Sequence, residues 1–205
     1  MLPRIDPLRP TLSREIPRGR EWVYELKFDG FRGTFYTEEN RGRFASKNQK
    51  PMPRFRKLAE ALGGELPVRD AILDGEIVVI RDGVPDFYAL MFDRGAPQFV
   101  AFDLLWLNGR DLRQLPLWKR KRMLRKLIAG TSISYVEPVN DPRLFQAAVN
   151  MDLEGIVAKR RSDPYGPSTE WLKIKHRGYS QMQGRWELFD KKGPPRFRGG
   201  PLVQR

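Results

Sequence analysis

The stretch YELKFDGFRG, Tyr24 to Gly33, sets the reading of this chain. From Trp22 the residues alternate: Trp22, Tyr24, Leu26 and Phe28 on one side, Val23, Glu25, Lys27 and Asp29 on the other. Period two is the signature of a strand. Asp29-Gly30 is a hairpin signal, with FRGTFY as the expected return strand. A lysine two residues before such a turn has two readings. It is one of several charges on a solvated edge, or it is a reactive group at the lip of a pocket. A lysine becomes nucleophilic when burial or nearby cations help remove its proton, and Arg32 is such a neighbour.

Outward from this stretch the chain reads as short strands joined locally. Phe55–Leu62 has helical character, AILDGEIVVIRDG is hairpin-like, and QFVAFDLLWLNG is a strand ended by an Asn-Gly turn. Pro116 opens a basic helix to about Ile128, with Leu117, Leu124, Leu127 and Ile128 on its apolar side. Asp141-Pro142 starts another helix, and EGIVAKR and WLKIK are two further strands. Strands outnumber helices, so the expected fold is α+β, with mostly antiparallel sheets flanked by helices. Residues 1–20 read as an irregular lead-in and 21–189 as the folded domain. The basic Gly/Pro-rich tail 190–205 is expected to be disordered.

The 205 residues carry 38 Lys+Arg against 25 Asp+Glu, a formal net charge of +13, which favours polyanionic partners such as nucleic acid. The absence of cysteine excludes disulfides, thiolate chemistry and cysteine-based zinc sites. No apolar run approaches membrane-spanning length and the start lacks a signal-peptide core, so a cytoplasmic protein without a membrane partner is expected.

Other candidate residues each have a bland reading beside the chemical one. In WLKIK, alternation sends Lys173 and Lys175 to the same face. They form a solvated basic strand, or they hold an anion such as a phosphate chain between them. Glu76 in LDGE and Glu154 in EGIVAK stand beside glycines, where a bulge or close backbone approach is allowed. They are surface carboxylates, or ligands for a magnesium ion that also takes phosphate oxygens. Glu154 and Lys159 have opposite strand parity, so both reach one pocket only if Gly155 disturbs the pleat. Phe102 is either core or a stacking platform for a base. The segment WKRKRMLRK, Trp118 to Lys126, has six cations in nine residues. It is a solvated helix or a DNA contact through residues such as Arg120 and Lys121.

Taken in order, KFDGFR, FASKN, ILDGEIVV, FVAFDLLWLNGRDL, EGIVAKR and WLKIK closely resemble the motif series of the ATP-dependent DNA ligases, over roughly residues 20–176. The likeness is to the adenylation (nucleotidyltransferase) domain of the bacterial end-joining ligases and their short stand-alone relatives. The resemblance implies ATP and Mg2+ (or Mn2+) as cofactors and nicked double-stranded DNA as partner, with nucleoid association during repair. Lys27 would form lysyl-N-AMP and pass AMP to the 5′-phosphate of the nick. Glu25 would contact the adenine amino group, and Arg32 the ribose and DNA side. Glu76 would bind the ribose, Phe102 would stack on adenine, and Lys173 with Lys175 would hold the α-phosphate. Glu154 would serve the metal, with Asp29 behind it.

Three departures stand out. Lys47 in FASKN replaces the usual arginine of the nucleotide site, losing a two-pronged phosphate grip. The loop SDPYGPSTEW is short and lacks an expected arginine. Residues 176–205 are too few for the OB-fold that normally follows, so no C-terminal OB-fold is expected. A separate DNA-end-binding or OB-fold protein would then complete the enzyme. Two alternatives remain at this level: a non-sealing nucleic-acid-binding relative, and an RNA ligase or capping-type nucleotidyltransferase.

Overall fold

The computed structural model describes residues 1–182; the domain end at 189 and the tail 190–205 lie outside the described residues. The strands are β1 (Thr11–Leu12), β2 (Trp22–Leu26), β3 (Phe31–Glu38), β4 (Arg41–Ser46), β5 (Asp70–Val78) and β6 (Ile80–Arg81). They continue as β7 (Val84–Pro85), β8 (Gln98–Leu107), β9 (Arg110–Asp111), β10 (Ser134–Tyr135), β11 (Gly155–Arg160) and β12 (Leu172–Lys175). The α-helices are α1 (Arg56–Glu65), α2 (Phe87–Met91), α3 (Leu117–Leu127) and α4 (Leu144–Asn150). The larger sheet has the order β10-β8-β5-β3-β4 with β9 on β8, and the smaller one β1-β12-β11-β2. Among the described residues only β1–β12 and β10–β8 pair in parallel. The expected α+β class with mostly antiparallel sheets is therefore the observed one.

The central strand β5 is buried along nearly its whole length, with the carboxylates Asp70 and Asp74 buried among its apolar residues. One face of the larger sheet packs Phe35, Leu73, Phe99 and Leu104 against Leu62 of α1 and Leu124 of α3. The other face packs Tyr36, Ile72 and Leu105 against Trp171, Tyr165 and the lead-in residues Leu2 and Ile5. The lead-in is irregular apart from β1, yet it is part of the core. Tyr36 Oη accepts from the Ile5 amide at 3.2 Å, and Tyr165 Oη from Leu8 at 2.9 Å. No helix among the described residues is long and apolar enough to cross a membrane.

One turn expectation needs correction. Asp29-Gly30 does not close a hairpin: β2 pairs with β11, while β3 pairs with β4 and β5. The chain crosses here from one sheet to the other, which leaves Lys27 between them. Gly30 is required for a different reason, since a Cβ there would lie 2.1 Å from the Ile77 carbonyl oxygen. The hairpin is instead β3–β4, turning at Glu39 and Asn40 with φ of 51° and 62°, both in the left-handed region. In AILDGEIVVIRDG the turn is Asp82-Gly83, between β6 and β7. Asp74-Gly75 lies inside β5, at a shift of register against β8. Asn108-Gly109 does turn the chain between β8 and β9, as expected.

Candidate active site

Between the two sheets lies a cavity of about 210 Å³. Its walls include Glu25 and Lys27 from β2 and the crossover, Arg32 from β3, Glu76 from β5 and Phe102 from β8. Val157 and Lys159 of β11, Trp171 and Lys173 complete the opposite side, with Pro10 of the lead-in at the rim. Six of the residues singled out in the sequence (Glu25, Lys27, Arg32, Glu76, Phe102 and Lys173) thus share one space.

At its open end Lys27 Nζ donates to Glu154 Oε2 at 2.5 Å, and Lys175 Nζ lies 3.2 Å from Oε1 of the same carboxylate. Gly155 explains how Glu154 arrives there. Its φ of 137° breaks the strand before β11 settles into register, so Glu154 and Lys159 both face the active region despite opposite parity. Lys173 sits in the strand beside Lys175; burial, then the charges of Lys175 and Lys27, lower its pKa. Lys47, exposed just beyond β4, adds to that positive field. Burial pushes the Glu76 carboxyl up to about 7; Lys27 and Arg32 oppose the shift and Glu154 adds to it.

At the closed end Glu25 Oε2 accepts from Lys159 at 2.5 Å, and Glu25 Oε1 lies 2.7 Å from Lys121 Nζ. Phe102 stands beside this cluster with Trp171 edge-on to it, ring centroids 6.0 Å apart at 81°. Arg32 is fixed by buried Asp74, Nε to Oδ1 at 2.7 Å and Nη2 to Oδ2 at 2.5 Å, and Tyr165 donates to the same Asp74 at 2.7 Å. Its guanidinium carbon is 4.5 Å from the Phe102 centroid. Asp29 is buried and accepts from Tyr179 at 2.9 Å.

The reading of α3 as a DNA-facing element through Arg120 and Lys121 is corrected. Arg120 is fully buried and grips Asp103 of β8 with two bonds, at 2.8 and 2.9 Å, while Lys121 is 3% exposed. Both stand three and four residues after Leu117 and before or beside Leu124, on the stripe that packs inward. The sequence held that signal: spacing placed them inside, and charge alone suggested outside. Lys119, Arg122, Arg125 and Lys126 are the exposed cations of this helix. Lys159 was tied to the pocket only on the condition that Gly155 disturbs the pleat, and Asp74, Val157 and Trp171 were missed as site members. Each lies inside a motif of the series, Asp74 in ILDGEIVV, Val157 in EGIVAKR and Trp171 in WLKIK, but no local signal set it apart from its neighbours.

Among the described residues no group of three or more His, Cys, Asp or Glu could hold a metal by itself. Magnesium commonly takes only one or two carboxylates and completes its shell with water and phosphate oxygens. Glu154 fits that role, since it lies at the open end, and its charge bears on Glu76 in a way a bound cation would relieve.

Two sheets enclosing a cleft with a lysine on the crossover define an adenylation domain of the ligase type. The model of the ATP dependent DNA ligase domain matches residues 11–175, and the chain belongs to that family. It is 36% identical to the multifunctional non-homologous end joining protein LigD of Pseudomonas aeruginosa, over 83% of this chain and 22% of that protein. It is 30% identical to DNA ligase C of Mycobacterium tuberculosis, over 85% of this chain and 56% of that one. Among solved structures, the ligase domain of M. tuberculosis LigD superposes with a TM-score of 0.69 at 30% identity, covering 84% of this chain and 61% of that one. A mycobacterial DNA ligase D complexed with ATP gives 0.66, covering 84% and 62%. The chain thus spans only part of the length of these relatives.

Proposed function

We propose that this domain carries out covalent adenylation and passes the AMP to nicked duplex DNA. The observation that carries the reading is Lys27 Nζ, held by Glu154 and flanked by Lys175 at the mouth of a cavity whose far end presents Phe102 and Glu25. ATP enters with its base toward Phe102, where a flat ring stacks, and toward Glu25, whose carboxylate accepts from an exocyclic amine. Its phosphates lie toward Lys27, Lys173 and Lys175. Lys27 gives up its protons to water at the open end and forms a bond from nitrogen to the α-phosphorus as the bond to the bridging oxygen breaks and pyrophosphate leaves. Lys173 and Lys175 offset the charge that gathers on the phosphoryl oxygens. Lys47, at the rim, adds to the same field. Arg32 and Glu76 hold the ribose, and a protonated Glu76 can donate to a hydroxyl. Asp29, anchored by Tyr179, supports the crossover behind Glu154. A Mg2+ ion at Glu154 would supply further charge neutralisation on the phosphates. The 5′-phosphate of a nick then takes AMP from Lys27, and the 3′-hydroxyl displaces it to seal the strand.

Incubation with α-labelled ATP and Mg2+ tests this directly. The wild-type chain should acquire covalent label on Lys27, stable to alkali and released by acid as a phosphoramidate is, and lose it on addition of nicked DNA, yielding adenylated or sealed strand. Retention of label in Lys27→Ala would overturn the assignment.

A further inference from the structure

Glu25 meets the base end of the cavity, but what holds its carboxylate in place lies behind it. Lys121 extends from the buried face of α3 and brings Nζ to 2.7 Å from Glu25 Oε1. The same ammonium donates to the main-chain carbonyls of Val136 at 2.5 Å and Phe102 at 3.2 Å. Two of the three donors of the ammonium go to these carbonyls, and its contact with Glu25 is an ion pair. One group therefore joins the carboxylate of β2 to the strand β8, at the residue whose ring faces the base. Lys121 is absent from the walls of the nucleotide cavity and borders a second cavity on the far side, beside Trp118 and Arg122.

We propose that Lys121 is a positioning residue that determines base specificity, setting the preference for adenine over guanine without touching the nucleotide. The inference rests on the adenylation reading above. A stacked ring does not distinguish the purines. Adenine presents an amino donor at position 6, where guanine presents a carbonyl acceptor. A fixed carboxylate accepts from the first and repels the second, and it discriminates only while its orientation is held. Without Lys121, Glu25 keeps Lys159 as its single partner and is free to turn toward it. The carbonyl of Phe102 loses its donor at the same time.

The test is equilibrium binding of ATP and GTP in a Lys27→Ala background, where no covalent label forms. Lys121→Met keeps the apolar stem and removes the ammonium. Its preference for ATP should fall roughly tenfold, while in a Glu25→Gln background the same change should have no further effect. A purely structural role would lower the melting temperature and leave the preference intact, and that result overturns the proposal. Where Lys121→Met alone does not fold, Glu25→Gln/Lys121→Met removes both charges of the pair and is compared with Glu25→Gln. Equal preferences support the proposal; a further loss in the double variant overturns it. Failure to bind ATP at all would overturn both this inference and the adenylation reading. ATP binding by the Lys27→Ala variant without covalent labelling of the wild type would overturn only the adenylation reading.

Discussion

Glu154 lies between Lys27 and Lys175, at 2.5 and 3.2 Å; Glu25 lies between Lys159 and Lys121, at 2.5 and 2.7 Å. The two clusters have the same composition and nearly the same distances. They differ in access to water. The side chains of Lys27 and Lys175 are 23% and 37% exposed, against 2% and 4% for Lys159 and Lys121. At the open cluster water and arriving phosphates can replace one partner with another, so the ammonium groups can be released for reaction. In the closed cluster separation of the charges would strand them in a medium that solvates them poorly. On the proposed function, one such trio serves reaction at the open end of the cavity and the other serves positioning at the closed end.

The largest expected effect separates the two ends most sharply. Lys27→Ala, and equally Lys27→Arg, should abolish covalent labelling by α-labelled ATP, since arginine stays protonated. Neither should cost more than about 1 kcal/mol of stability, because the pair is partly solvated. Detectable labelling with Lys27→Arg would remove the open cluster from the chemistry.

Removing the central carboxylate should show the contrast in stability. Glu25→Ala leaves two buried ammonium groups without a counter-charge and should cost about 3–5 kcal/mol in denaturant unfolding. Glu154→Ala should cost about 1 kcal/mol or less, yet slow labelling strongly. Equal losses of stability would break the comparison.

A smaller effect concerns pH. Glu76, raised to about 7 from an ordinary 4.5, binds its proton more tightly folded than unfolded. Its contribution to stability is therefore full below about pH 4.5 and is lost as pH rises through about 7. Partial solvation limits the change to the order of 1 kcal/mol. Thermal melts of Glu76→Gln against wild type across pH 4–8 should show this slope in the wild type alone.

The smallest effect concerns α3. If this helix meets DNA, the contact comes from its exposed cations, so neutralising Arg122 and Arg125 together should lower the salt slope of DNA binding by at most about two units. Arg120→Met should destabilise the fold and leave the slope unchanged. A slope altered by Arg120→Met at constant fold would contradict the burial of that side chain.

Much of this protein was legible locally. The alternation of Trp22 to Leu26, the proline opening α3, the Asn108-Gly109 turn and the WLKIK strand all follow from short-range sterics and periodicity, which a sequence carries directly. The motif series was sufficient to indicate the family. What local signals could not separate was a glycine needed for a turn from one needed for close approach, and Gly30 was of the second kind. Nor did they show that Leu2 and Ile5 have a hydrophobic face to cover, because that face is assembled from Tyr36, Ile72, Leu105 and Trp171.

The amino-acid sequence alone determined which groups were present for chemistry: the lysine on the crossover, the paired lysines of WLKIK, the two glutamates and the aromatic ring of Phe102. The tertiary structure decided which lysine meets which carboxylate. Lys27 and Glu154 are 127 residues apart, and Glu25 and Lys159 are 134 apart. Their meeting depends on the register of β2 against β11 and on the backbone of Gly155, while Lys121 arrives through the packing of α3. Charge is a property of a residue, but its solvation and its partner are properties of the place to which non-local packing brings it.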